Sequence, residues 1–265
     1  MTQQTKATPK VQPQAQPTPE APKHKFPTEI VDLPSKGIIY PKDNPLSSGK
    51  VEMKYMTARE EDIITNQNYI SKGIVVDKLL ESLIISPINY RDLILGDKNA
   101  LLVAARVLGY GKDYSFTFAG EEHTVDLSTL DNKPLDESLF TPGINEFEFT
   151  LPTSKVDITF SLMTKKVEDK IEQELKGLKK LNKNLIPEMS TRMKHLIVSV
   201  DGNRDNKSIR EFVDTYLLAR DAKALRDYVV EIQPDLDFKF QYENFEGDFE
   251  EIDIPINSNF FFPDN

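Results

Sequence analysis

The chain has no cysteine, no tryptophan and only three histidines in its 265 residues. Without thiols, disulfides and cysteine-ligated metal sites are excluded outright, which fits a reducing compartment of synthesis. The histidines stand apart: His24 near the start, His123 at a hairpin-like turn, His195 in a helix-like stretch. None has another histidine three or four residues away, and no nucleophile, base and orienting residue form a readable series. No catalytic residue, cofactor-binding residue or metal ligand is therefore expected, and no cofactor. Long apolar runs are lacking too. Nothing approaches the roughly 18 residues a membrane helix needs, and no N-terminal stretch has the form of a signal peptide. Synthesis in the cytoplasm without membrane contact is the expectation.

Positive charge is in short supply, with 33 basic against 43 acidic residues and a net charge of −10. Such a surface repels phosphate backbones, so nucleic acid is not an expected partner. The imbalance is uneven. Residues 1–25 carry Lys6, Lys10, Lys23 and Lys25 against Glu20, which leaves 29 basic and 42 acidic residues for the rest. The same 25 residues hold five prolines, five glutamines and almost nothing large and apolar. Their composition predicts a disordered leader, because ordering it would bury too little surface to offset the entropy lost.

From Phe26 onward core-forming residues are present. Hydrophobic residues make up 38% of the chain, with 15 phenylalanines and 9 tyrosines. Lys50–Met56 alternates with Val51, Met53 and Tyr55 on one face, the pattern of a half-buried strand. Thr57-Ala58-Arg59-Glu60 has the form of a capping box and predicts a helix start. Further helices are expected over Val75–Ile85 and Lys98–Leu108, the latter stopped by Gly109. Tyr114, Phe116 and Phe118 alternate, turn through Ala119–His123 and return along Thr124–Leu127 as a β-hairpin.

The second half repeats this plan. Ile158, Phe160 and Leu162 before Met163-Thr164 match Val51, Met53 and Tyr55 before Met56-Thr57 at an offset of 107. Asp221-x-x-Ala224-Leu225 matches Asp97-x-x-Ala100-Leu101 at an offset of 124, where Phe238, Phe240 and Tyr242 also fall on Tyr114, Phe116 and Phe118. The expected fold is α+β: two tandem related units of strand, helices and hairpin after the disordered tail. The first spans 26–140 and the second 141–265. The change in offset places one insertion, a Lys-rich helix around 165–190, in the second unit. Its Ile171, Leu175, Leu178 and Leu185 lie at helical spacing, which suits packing on its own domain or a short coiled coil.

The remaining motifs read as structure. Glu60-Glu61-Asp62 lies where acidic side chains complement a helix N-terminus. Gly109-Tyr110-Gly111 follows a helix, whereas a phosphate loop must precede one. Asp201-Gly202-Asn203-Arg204-Asp205 opens like a calcium loop, but Asn206 and Phe212 stand where glycine and glutamate are needed. A polar turn before a helix capped by Ser208 with Glu211 is expected instead. Phe260-Phe261-Phe262-Pro263 is costly to leave in water, at roughly 1.5–3 kcal/mol per phenylalanine, so it folds back on the hairpin or docks on a partner. These four residues are the candidate partner-binding anchor.

Leu33-Pro34-Ser35-Lys36-Gly37-Ile38-Ile39-Tyr40-Pro41 and Met56-Thr57-Ala58-Arg59-Glu60-Glu61-Asp62-Ile63-Ile64 resemble segments of baseplate hub and hub-assembly proteins of T-even-like contractile-tailed bacteriophages. So do Leu151-Pro152-Thr153-Ser154-Lys155, Ser199-Val200-Asp201-Gly202-Asn203 and the Phe260–Pro263 ending. The resemblance covers about residues 26–263. It implies a non-enzymatic structural or assembly component of the tail baseplate hub, assembled in the host bacterial cytoplasm and located in the virion. The implied partners are other hub proteins and the tape measure protein. Some similar proteins carry Cys-x-x-Cys pairs at the hairpin tips. Here those tips read Ala119–His123 and Glu243–Asp248, so zinc does not carry over. A transient assembly chaperone is the alternative, with a hydrolase or a calcium-binding module more distant.

Overall fold

The computed structural model describes residues 27–181, 187–243, 247–256 and 260–261. The tail 1–25, Leu185, Phe262 and Pro263 lie outside them, as does part of the second hairpin tip. The fold is α+β, and its two halves run in the same order. In the first, β1 (Thr28–Asp32) pairs antiparallel with β2 (Lys50–Lys54). Then come α1 (Ala58–Ile64), α2 (Gln67–Lys72), α3 (Val75–Leu83) and α4 (Leu95–Tyr110). The hairpin of β3 (Asp113–Phe118) and β4 (Glu121–Asp126) closes the half. In the second, β5 (Phe147–Thr150), β6 (Asp157–Phe160) and β7 (Ile197–Val200) form a sheet in that order. Helices α5 (Lys165–Leu181) and α6 (Glu188–Leu196) join β6 to β7. After β7 follow α7 (Asn206–Thr215), α8 (Ala219–Ile232) and the hairpin β8 (Lys239–Glu243) with β9 (Phe249–Asp253). Among the described residues no helix is long and apolar enough to cross a membrane.

Two features correct the sequence reading of the insertion. Met53 bridges Ile84 in the first half, and Phe160 pairs with Ile197 in the second. The offset is thus 107 at β2/β6 but already 113 at the ends of α3 and α6. It reaches 124 only at α4 and α8. Six of the seventeen added residues (113 − 107, of 124 − 107) thus do fall between the starts of α5 and α6, but the Lys-rich helix α5 is itself the counterpart of α1 and α2 together. The added helix is α7, which has no equivalent in the first half, where Tyr90–Asp92 forms only a 3-10 turn.

Other local readings shift as well. The hairpin turn is shorter than expected, because Ala119 and Gly120 both take positive φ and join the strands directly, with Glu121 already in β4. Helix α4 runs through Gly109 and stops at Gly111, whose φ is +85°. Helix α7 is capped by Asp205, not Ser208: the Asp205 carboxylate accepts the Ser208 N–H at 2.9 Å. Asp201 and Asn203 accept the N–H groups of Asp157 and Asp205, so the calcium-like run is spent on turn geometry.

The capping box at Thr57 forms and does more than start a helix. Glu60 is fully buried and accepts from Thr57, from Ser82 on α3 and from the Lys54 ammonium on β2 at 2.8 Å. Burial alone would raise its carboxyl, but Lys54 and the hydroxyls bring it down to about 2. A carboxyl lowered on folding stabilises above its unfolded value and loses that contribution as pH falls through the folded one. Acid unfolding should therefore steepen between about 4.5 and about 2. Urea melts across this window should show the acid limb flattened in Glu60→Gln, which is less stable at neutral pH. A variant whose limb parallels wild type assigns the acid sensitivity elsewhere.

Candidate functional site: the seam between the units and the groove beside it

The two halves are sewn together by residues from both. At the hairpins, equivalent positions meet: Phe116 packs edge-on to Phe240 with ring centroids 5.4 Å apart, and Phe118 packs on Tyr242 at 5.1 Å. Two copies of a motif that touch through their own equivalents make an isologous contact, here within one chain. His123 lies among these rings, 5.6 Å from Phe240.

Each unit's trailing chain crosses to the other. After the first hairpin, Asn132 bridges Leu236, and Lys133 N–H donates to the Asp235 carbonyl at 2.9 Å. After the second, the Tyr114 hydroxyl donates to the Pro255 carbonyl at 2.7 Å, and Phe260 meets Tyr114 edge-on at 5.0 Å. Phe260 and Phe261 are buried, at 1% and 7% exposure. This corrects the expectation of a partner anchor at Phe260 and Phe261. Their rings are spent on the chain's own core, because the first hairpin offers an aromatic floor that the second unit's end can reach. Phe262 and Pro263 lie outside the described residues.

A charged cluster spans the same seam. Lys165 at the start of α5 is buried and contacts Asp77 of α3 at 2.8 Å and Asp169 at 2.7 Å. Asp77 also accepts from the Tyr90 hydroxyl and pairs with Lys98, while Arg91 pairs with Asp169 at 3.0 Å. Burial would lower the Lys165 ammonium, yet the two carboxylates hold it well above its ordinary value. The charged ammonium thus ties α3 of the first unit to α5 of the second. Backbone groups reinforce the tie: Leu95 N–H donates to Met163 and Lys165 N–H to Leu93.

The repeated Asp-x-x-Ala-Leu motif now has a physical account. Asp97 and Asp221 are both buried and both third in their helices, α4 and α8. Asp97 accepts from Ser35 N–H at 2.9 Å, Ser35 Oγ at 2.7 Å and the Tyr40 hydroxyl at 2.6 Å. Asp221 accepts the N–H groups of Thr153 and Ser154 at 2.7 and 3.0 Å. Each aspartate closes the Leu-Pro turn of its own unit onto the helix start. Burial raises the Asp97 carboxyl above its ordinary value. For Asp221 burial acts the same way, but the two N–H groups prevail and lower it.

The units differ in one place that matters for recognition. In the first, α3 and α4 close on each other: Leu80, Leu83, Ala105 and Arg106 are all buried, and Met56 lies on Gly109. In the second, the same seam between α6 and α8 stays open as an apolar groove of about 170 Å³. Leu95, Met163, Met189, Met193, Val229 and Val230 line it, with Arg192 and Arg226 completing the wall. Val230 is 62% exposed, whereas its counterpart Arg106 is 2% exposed. Sequence reasoning missed this groove, although Met189 and Met193 lie one turn apart on a helix face. Half of the chain's six methionines meet there. Among the described residues no cluster of side chains could hold a metal ion. Compared with protein-family models, curated proteins and solved structures, the chain matches none.

Proposed function

We propose that this chain is a structural or assembly component of a contractile-tail baseplate hub that acts by protein–protein recognition without an active site. The observation that carries the recognition half of this reading is the open α6–α8 groove, an apolar slot whose equivalent in the first unit is closed. The carboxylates and lysines that could suggest chemistry are held in turn closure, helix capping and the inter-unit tie. The baseplate half rests on the runs Leu33–Pro41 and Met56–Ile64, which resemble hub proteins. Affinity-tagged chain recovered from infected bacteria should bring down hub subunits, and mass spectrometry of purified virions then separates a resident subunit from a chaperone that leaves. Absence from both hub complexes and virions sinks the reading.

A further inference from the structure

The α6–α8 groove asks for an apolar knob with negative flanks. Its floor is methionine and valine, and two of its walls carry guanidinium groups on a protein that is otherwise strongly acidic. Arg226 forms no ion pair among the described residues, and Arg192 pairs only with Glu188, one turn before it on the same helix. A cavity of about 150 Å³ accepts a benzene ring, so the groove is sized for one aromatic side chain. The same chain presents such a knob on a different element. Phe249, the first residue of β9, is 75% exposed, lies directly across the hairpin from Glu243 and shares its face of β9 with Glu251. Leaving that ring in water costs roughly 1.5–3 kcal/mol relative to burial.

We propose that Phe249 of one copy inserts into the Met163–Met189–Val230 groove of a second copy, with Glu243 and Glu251, which share its face of the hairpin, toward Arg192 and Arg226. Knob and groove lie on different elements of the chain, so a single insertion leaves one knob and one groove unused in the pair. These either engage each other, closing a two-fold dimer, or take further copies head to tail until a ring closes or a filament forms. The first unit cannot take part as receptor, because its equivalent seam is closed, with Leu80, Leu83 and Ala105 buried and Met56 lying on Gly109. This inference does not depend on the baseplate assignment.

The test uses two surface variants of the full chain, Phe249→Ala, which removes the knob, and Val230→Glu, which blocks the groove. Both positions are exposed, and circular dichroism checks that both variants fold. In sedimentation equilibrium, wild type should grow in mass with concentration to a dimer or beyond, and raised salt should weaken the association. Each variant alone should associate at least tenfold more weakly. Mixed in equal amounts, they should form a one-to-one dimer and nothing larger, since one intact groove and one intact knob remain. A wild-type chain that stays monomeric at the highest concentration overturns the proposal and assigns the groove to a different protein. So does a mixture that stays monomeric, or a Phe249→Ala chain that associates as wild type does.

Discussion

Replacing Phe260 with alanine should cost about 3–5 kcal/mol, the range for deleting a buried aromatic ring. The ring is 1% exposed and wedged between Tyr114 and Phe261, at centroid distances of 5.0 and 5.2 Å. Its loss opens a cavity beneath the first hairpin, although the residue belongs to the second unit. A chain of this length loses roughly 2–4 °C per kcal/mol, so the melting temperature should fall by about 10 °C. Phe249→Ala, melted at concentrations where the chain is monomeric, serves as the internal control, since it removes the same ring from an exposed site and should change stability by less than about 0.5 kcal/mol. Parallel urea melts decide the matter. If Phe260→Ala costs under about 1 kcal/mol, the ring is not core, and a partner anchor returns as the better account.

Gly96→Ala should be as damaging, against the usual sign. In a helix interior alanine is favoured over glycine by up to about 1 kcal/mol. At Gly96, however, an added Cβ would sit 1.7 Å from the Pro234 carbonyl oxygen and 2.8 Å from its carbon. Backbone on both sides leaves no flexible group to move. Helix α4 must therefore separate from the segment after α8, straining the Asn99–Asp235 hydrogen bonds at 3.1 and 3.2 Å. The expected loss is about 3 kcal/mol or more, at the upper end of overpacking costs. Gly177→Ala supplies the contrast. It lies in α5 with nothing within 4 Å of the added Cβ, so alanine there should gain up to about 1 kcal/mol. Opposite signs in the two melts would establish that the α4 glycine is kept for close approach. A neutral Gly96→Ala would show that the contact relaxes without cost.

What was legible in the sequence depended on period and size. The hairpins and the 124 offset could be read because Tyr114, Phe116 and Phe118 alternate large rings that recur at Phe238, Phe240 and Tyr242. The capping box at Thr57 could be read because its chemistry is local. Strands β1, β5 and β7 escaped, being only four or five residues long, and Thr28–Asp32 is largely exposed, so it carries no alternation. Most of the insertion was misplaced because α5 runs as one helix where the first unit breaks at Asn66 into two. Total offset cannot show how its residues are divided between segments. Gly109 drew attention as a helix stop, while Gly96, with the tighter contact, gave no local signal. Whether Phe260 packs inward or outward depends on the floor that Tyr114 supplies far away in the chain, and no window around residue 260 contains that information.

The exchange of trailing segments sets an order of events for folding. Tyr114 waits on Pro255, a separation of 141 residues, and closing so long a loop must precede the contacts that reward it. The first unit's hairpin therefore stays unfinished while the second is being made, with Tyr114 and Phe116 lacking their covers. A half-chain ending before α8 should be soluble only transiently, its exposed rings open to aggregation. Stability of one unit is thus conditional on synthesis of the other, and unfolding should be a single cooperative transition rather than two.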